Sequence, residues 1–145
     1  MLEDVGAVSV CTGPGSFTGT RVALSTAKGL ALAHDVEVVG VSSLTALADG
    51  RDAVCVLDAR RGEAFVEVFR GGVGDGPRLL RVDQVHDVIA SARLEVVGDL
   101  AEFVPVRREP SAEVIAAMGF SRWKAGATTD PATLEPQYLR DPDFG

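Results

Sequence analysis

Apolar residues fall in short runs broken by Gly, Pro and Asp, and their period changes along the chain. Residues 7–11, Ala-Val-Ser-Val-Cys, form a β-branched run that stops at Gly13-Pro14-Gly15, which predicts a buried strand ending in a tight loop. Ser16 or Thr18 can cap the Ala/Leu-rich helix that follows to about His34, with Asp35 as its breaker. A second apolar strand is expected over 36–41, and a short helix over 44–48 capped by Ser42-Ser43. Two runs, 53–58 and 63–69, flank Ala59-Arg60-Arg61-Gly62. Alternation of Ala64, Val66 and Val68 with Phe65, Glu67 and Phe69 predicts a hairpin there. Next come a glycine-rich loop over 71–77, a weak strand over 79–82 and a helix over 85–92 capped by Asp83. A strand over 94–97 stops at Gly98-Asp99, and another short one is expected over 103–106. Ser111 opens a helix from 112 to about 126, and the tail 131–145 reads as extended.

The order βαβ, hairpin, αβ predicts an α/β protein with a mixed sheet. The polar turn Asp49-Gly50-Arg51-Asp52 divides it into two lobes, 1–50 and 51–145. The first fifty residues hold only seven charges, Glu3, Asp4, Arg21, Lys28, Asp35, Glu37 and Asp49. Elements that apolar need cover on several sides, from a second chain or from a further amino-terminal segment.

The chain has 145 residues and a formal net charge of −7. Such an acidic balance disfavours unaided grip on a phosphate backbone, and the pairs Arg60-Arg61 and Arg107-Arg108 are each followed closely by an acid, Glu63 and Glu109. No apolar run approaches the ~20 residues of a membrane span. Met1-Leu2-Glu3-Asp4 has no basic start of the signal-peptide kind. Cys11 and Cys55 sit in apolar runs, as small core thiols of a reducing compartment do, so the expected location is the cytoplasm. Neither a CxxC nor an HExxH arrangement is present, and no metal is expected on this chain.

Two features carry candidate function. The stretch Gly13-Pro14-Gly15-Ser16-Phe17-Thr18-Gly19-Thr20-Arg21 puts a glycine loop between a strand and a helix start, where free amides can hold a phosphate. Gly13, Gly15, Ser16, Thr18 and Gly19 are the candidate phosphate contacts; the other reading is that the glycines allow close helix packing. The spacing is one residue longer than a dinucleotide fingerprint, and there is no Walker lysine or nucleophile elbow. The second feature is the helix itself. Ala23, Ala27 and Ala31 recur every four residues, as do Ser25, Gly29 and Ala33, with Leu24 and Leu30 beside them. Small stripes serve either close packing within the chain or docking of another helix, and Lys28 is expected to snorkel.

The glycine block, together with Ala27-Lys28-Gly29-Leu30-Ala31 and Gly40-Val41-Ser42-Ser43-Leu44, resembles the bacterial TsaB (YeaZ, glycoprotease-like) family of tRNA threonylcarbamoyladenosine biosynthesis. Asp58-Ala59-Arg60-Arg61-Gly62-Glu63 and Pro136-Gln137-Tyr138-Leu139-Arg140 extend the likeness over nearly the whole chain, whereas Thr20 stands where the family usually has Leu. The resemblance implies a two-lobed actin-like, sugar-kinase-like (ASKHA) fold whose first lobe is incomplete here, since family members carry a strand, a hairpin and a helix ahead of the glycine loop. It also implies a non-catalytic scaffold with no intrinsic cofactor, paired with a catalytic paralogue, TsaD, that holds ATP and metal. A small ATPase, TsaE, joins the pair, a homodimer is the other arrangement, and tRNA is reached only through the complex. Ala23, Ala27, Leu30 and Ala31 are the contacts this resemblance carries over. The alternative is a nucleotide-binding transferase or hydrolase that uses the 13–19 loop on phosphate.

Overall fold

Strand β1 (Ala7–Cys11) lies parallel to β2 (Glu37–Val41), and helix α1 (Phe17–His34) makes the crossover. The helix starts where the Ser16 hydroxyl accepts the Gly19 amide at 3.2 Å, satisfying one donor that a helix start leaves free. It stops at Asp35, whose φ of 52° is the left-handed conformation that ends helices. Helix α2 (Ser43–Ala48) follows and ends at Asp49 in the same way. The computed structural model describes residues 2–140, so the last five positions of the tail lie outside the described residues.

Beyond the polar turn, β3 (Ala53–Arg60) and β4 (Glu63–Arg70) pair antiparallel, each reaching further than their apolar runs alone suggest. The strands lengthen because Asp58 Oδ1 accepts the Arg60 amide at 2.7 Å, and Arg60, Arg61 and Gly62 turn the chain at φ of 65°, 55° and 74°. The 71–77 loop is partly ordered as β5 (Val73–Gly74), and with β6 (Arg78–Arg81) it pairs with opposite ends of β4. Helix α3 (Val82–Ala92) leads to β7 (Glu95–Gly98), parallel to β3, and helix α4 (Ala112–Lys124) completes the set.

Three local expectations are revised. Helix α3 begins three residues early, because the Gln84 side chain accepts the Arg81 amide at 3.0 Å; Arg81 is the cap and Asp83 lies in the first turn, ion-paired to Arg81. No strand forms over 103–106, where Pro105 removes a ladder amide and the chain turns instead. Over 131–133 the tail is a turn, not extended.

Each sheet is covered on both faces. Helix α1 packs on Val8, Val10 and Val38, while α4 packs on Cys11 and Val41 from the other side. Helix α2 covers Cys55, Leu57, Phe65 and Phe69, and α3 covers Val54, Val56 and Val66. Helix α4 thus returns from the second half of the sequence to the first sheet. Gly119 permits this, since a Cβ there would stand 1.7 Å from Ser9 Oγ. Trp123 Nε1 donates to Glu37 Oε2 at 2.5 Å and Arg122 Nη1 to the Gly40 carbonyl at 2.7 Å. Thr129 bridges to Val38, and Leu134 enters the core beneath α1. The boundary near residue 50 therefore separates stretches of sequence, whereas residues 112–138 sit in space with the first sheet. Among the described residues β1 has one strand neighbour, β2.

Candidate functional site: the faces of the first long helix and the adjoining cleft

Helix α1 carries its small residues on two adjoining stripes, and the structure separates their roles. Ala27 and Ala31 are 2% and 6% exposed, pressed into a cluster with Val10, Leu24, Val38 and Leu134. Ala23 is half-buried against the same cluster, and Leu30 is half-buried. The expected interface contacts at Ala27 and Ala31 are therefore spent within the chain. Their small side chains let α1 lie close on β1 and β2, which is the packing alternative for that stripe.

The other stripe is open. Ser25, Gly29 and Ala33 are exposed, and a Cβ added at Gly29 would meet nothing within 4 Å. Beside them Val22 is 61% exposed and Leu32 83%. Positions 22, 25, 29 and 32 follow 3-4-3 spacing, so they line one helical face. Reasoning from small residues alone missed Val22 and Leu32; that spacing was the signal that could have found them.

The glycine loop borders a cleft of about 800 Å³ between α1, the β3 end and residues 136–140. Gly15, Ser16 and Gly19 line it, while Gly13 is buried and Thr18 points elsewhere on the exposed surface. Gly13 has φ of 88°, which favours glycine, and its carbonyl accepts the Ser43 amide at 2.9 Å. The Pro14 carbonyl accepts the Ser43 hydroxyl at 2.5 Å. These bonds tie the loop to α2, so Gly13 has a packing explanation.

The charge in the cleft runs against phosphate. Asp58, Asp99 and Glu109 line it. Asp99 Oδ1 accepts the Asp58 amide at 2.8 Å, and burial pushes the Asp99 carboxyl above the usual range. Of the two cations present, Arg60 pairs with Asp58 at 3.2 Å. Arg140 is held by the Glu63 carboxylate and donates to the Ala59 carbonyl at 3.0 Å. Among the described residues no group of three or more His, Cys, Asp or Glu could hold a metal ion. Burial raises the Cys11 thiol and pushes Cys55 up to about 12, so both stay protonated and poorly nucleophilic. His86 Nε2 lies 2.9 Å from Glu102 on the surface, remote from the cleft lining. No described helix is long and apolar enough to cross a membrane.

The family model for TsaD, tRNA N6-adenosine threonylcarbamoyltransferase, matches residues 1–73. The chain is 29% identical to the tRNA threonylcarbamoyladenosine biosynthesis protein TsaB of Escherichia coli K12, over 97% of this chain and 73% of that protein. It is 34% identical to the uncharacterized protein Rv3421c of Mycobacterium tuberculosis H37Rv, over 98% of this chain and 67% of that one. Among solved structures, a Pseudomonas aeruginosa protein with similarity to peptidase YEAZ matches with TM-score 0.81 and 26% identity, over 97% of this chain and 76% of its own. YeaZ from Pseudomonas aeruginosa matches with TM-score 0.75 at 24% identity, over 96% and 76%, a likeness of fold.

Proposed function

The chain belongs to the TsaB (YeaZ) family of tRNA threonylcarbamoyladenosine biosynthesis, and on that premise we propose that it is a non-catalytic scaffold subunit. It pairs through α1 with a TsaD-type catalytic subunit and supports threonylcarbamoyl transfer to the adenosine beside the tRNA anticodon. ATP and metal belong to that catalytic subunit, a TsaE-type ATPase joins the pair, and tRNA is reached through the complex in the cytoplasm. The two packed units correspond, in this reading, to the two lobes of an ASKHA fold.

One observation carries the proposal: the uncovered face of α1, with Val22 and Leu32 exposed around Ser25, Gly29 and Ala33. Exposed aliphatic side chains gain free energy when a partner removes them from water, and Gly29 lets a second backbone come close. The cleft supports the non-catalytic part, since its carboxylates oppose a phosphate and burial raises the one thiol that lines it, Cys11.

The test is co-purification and size-exclusion of the V22E/L32E variant with the TsaD-type subunit of the same organism. Both positions are exposed, so the variant should melt within about 0.5 kcal/mol of wild type, while affinity should fall by about 100-fold or more, the scale of losing two central apolar contacts. Wild-type affinity in a folded variant would refute pairing through this face.

A further inference from the structure

The last described stretch of the chain crosses between the two packed units. Leu134 is buried in the core of the first sheet, beneath α1. Leu139 packs on the core of the second, against the cluster built by α2, β3 and β4. The two stand five positions apart, and five residues reach at most about 18 Å however far they are pulled. A segment anchored in both cores over so short a span limits how far the units can part along it. Residues 136–140 all line the cleft of about 800 Å³, so this crossing closes one side of it.

Further contacts hold each end. On the first unit, the Gln137 amide donates to the Thr12 carbonyl at 2.8 Å, just past β1. The Tyr138 ring stacks on Phe17 at the start of α1, with centroids 5.3 Å apart. On the second unit, Arg140 is held by the Glu63 carboxylate and donates from Nη1 to the Ala59 carbonyl at 3.0 Å, one partner on each side of the β3–β4 turn. The paired side chains are 30% and 31% exposed, so water screens them only in part. The other joint between the units is α2. Its Leu44 and Leu47 pack in the second core, while its Ala46 packs with Val41 and Ile115 in the first. Ser43, which opens α2, is buried and lines the cleft. The cleft is therefore bounded by a packed helix and by a short strap.

We propose that residues 134–140 are a clasp that sets the width of the cleft. With Leu139 and Arg140 seated, the β3–β4 turn is held toward the glycine loop. With them released, the second unit turns about α2 and the cleft opens, while both cores stay folded. The far end is the one that lets go. Leu134 is 3% exposed in its core, whereas Leu139 is only partly buried and Arg140 rests on an ion pair and one carbonyl. A tail that was simply one more piece of core would, on removal, loosen both units alike. A clasp, on removal, uncovers what lies behind it and leaves the cores intact. The device belongs to the chain alone and does not rest on the pairing reading.

The native thiols distinguish these outcomes. Cys11 lines the cleft and is half-buried, whereas Cys55 is fully buried in the second core. The full chain is exposed to a thiol-labelling reagent under native conditions at one pH, and mass spectrometry of the peptides follows each cysteine separately. L139A/R140E removes the far anchors and sets a carboxylate against Glu63. Its Cys11 should label about tenfold faster than in wild type, with Cys55 within about twofold. Y138A, at a position 46% exposed, removes only the ring stack, and its Cys11 should label about threefold faster. R140K keeps the charge on Glu63 and should label within about twofold of wild type at both thiols. If Cys55 accelerates in step with Cys11 in both L139A/R140E and Y138A, the tail stabilises the whole fold and the proposal is wrong. Wild-type labelling of Cys11 in both variants overturns it as well. Should L139A/R140E fail to fold, the two rates in Y138A decide by the same rule.

Discussion

The two faces of α1 are built from nearly the same amino acids and do opposite things. Ala27 and Ala31 look inward and disappear into the core, while Gly29 and Ala33, two residues further along each time, are left in solvent with Val22 and Leu32. Composition does not distinguish them. What does is the presence of Val10, Val38 and Leu134 on one side, while on the other a Cβ at Gly29 would meet none of the described residues within 4 Å. A stripe of small residues permits close approach, and which neighbour approaches depends on the rest of the chain.

The sharpest way to break this comparison is to place the same charge on each face. Ala27→Glu buries an unpaired carboxylate in a packed cluster and should cost at least about 3 kcal/mol, enough to unfold a marginal domain. Leu32→Glu should leave the melting curve within about 0.5 kcal/mol of wild type and remove pairing. Equal melting curves for the two would mean that the inner face is not packed as described.

Glycine substitutions sharpen the same point with smaller effects. Gly119→Ala sets a Cβ against Ser9, so α4 must shift off β1, and a loss of about 1–3 kcal/mol is expected in denaturant unfolding. Gly29→Ala meets none of the described residues within 4 Å and should stabilise α1 by about 0.5–1 kcal/mol. If Gly29 serves close approach of a partner helix, that more stable variant should nevertheless pair less well.

The smallest effect concerns the cleft. Burial raises the Asp99 carboxyl, so the folded state holds that proton more tightly than the unfolded chain does. Its contribution is present below the unfolded carboxyl range and is lost as pH rises through the raised value. Asp99→Asn keeps an acceptor for the Asp58 amide without the charge. It should stabilise the protein slightly at neutral pH and flatten the pH dependence of unfolding on the acid side. A steeper dependence in D99N would contradict burial as the cause.

Much of the fold was legible from local pattern. The runs at β1 and β2, the Ser16 and Ser111 caps and the stops at Asp35 and Asp49 are decided within a few residues of chain. Pro105 was equally local and was overlooked: a proline in a short apolar run argued against a strand. The Arg81 cap was not legible, because arginine is no usual cap and the bond that sets it comes from Gln84. For the site, the helix was found and its face was not, since Ala27 and Gly29 look alike without knowing what lies beside them.

By itself the sequence determined the bounds of β1, β2, α1 and α2 to within a residue or two, the family likeness through the glycine block, and a cation-only α1 in an acidic chain. Those properties follow from residue type, spacing and short-range hydrogen bonding. Only the tertiary structure decided that α4 and Leu134 return to the first sheet, that Leu134 with Val10 and Val38 covers the Ala27 and Ala31 stripe of α1, and that Arg21 and Lys28 share a groove with Tyr138. The physical reason is that burial is set by contacts between residues far apart in sequence. A helical period says which residues share a face, but not which face will be covered.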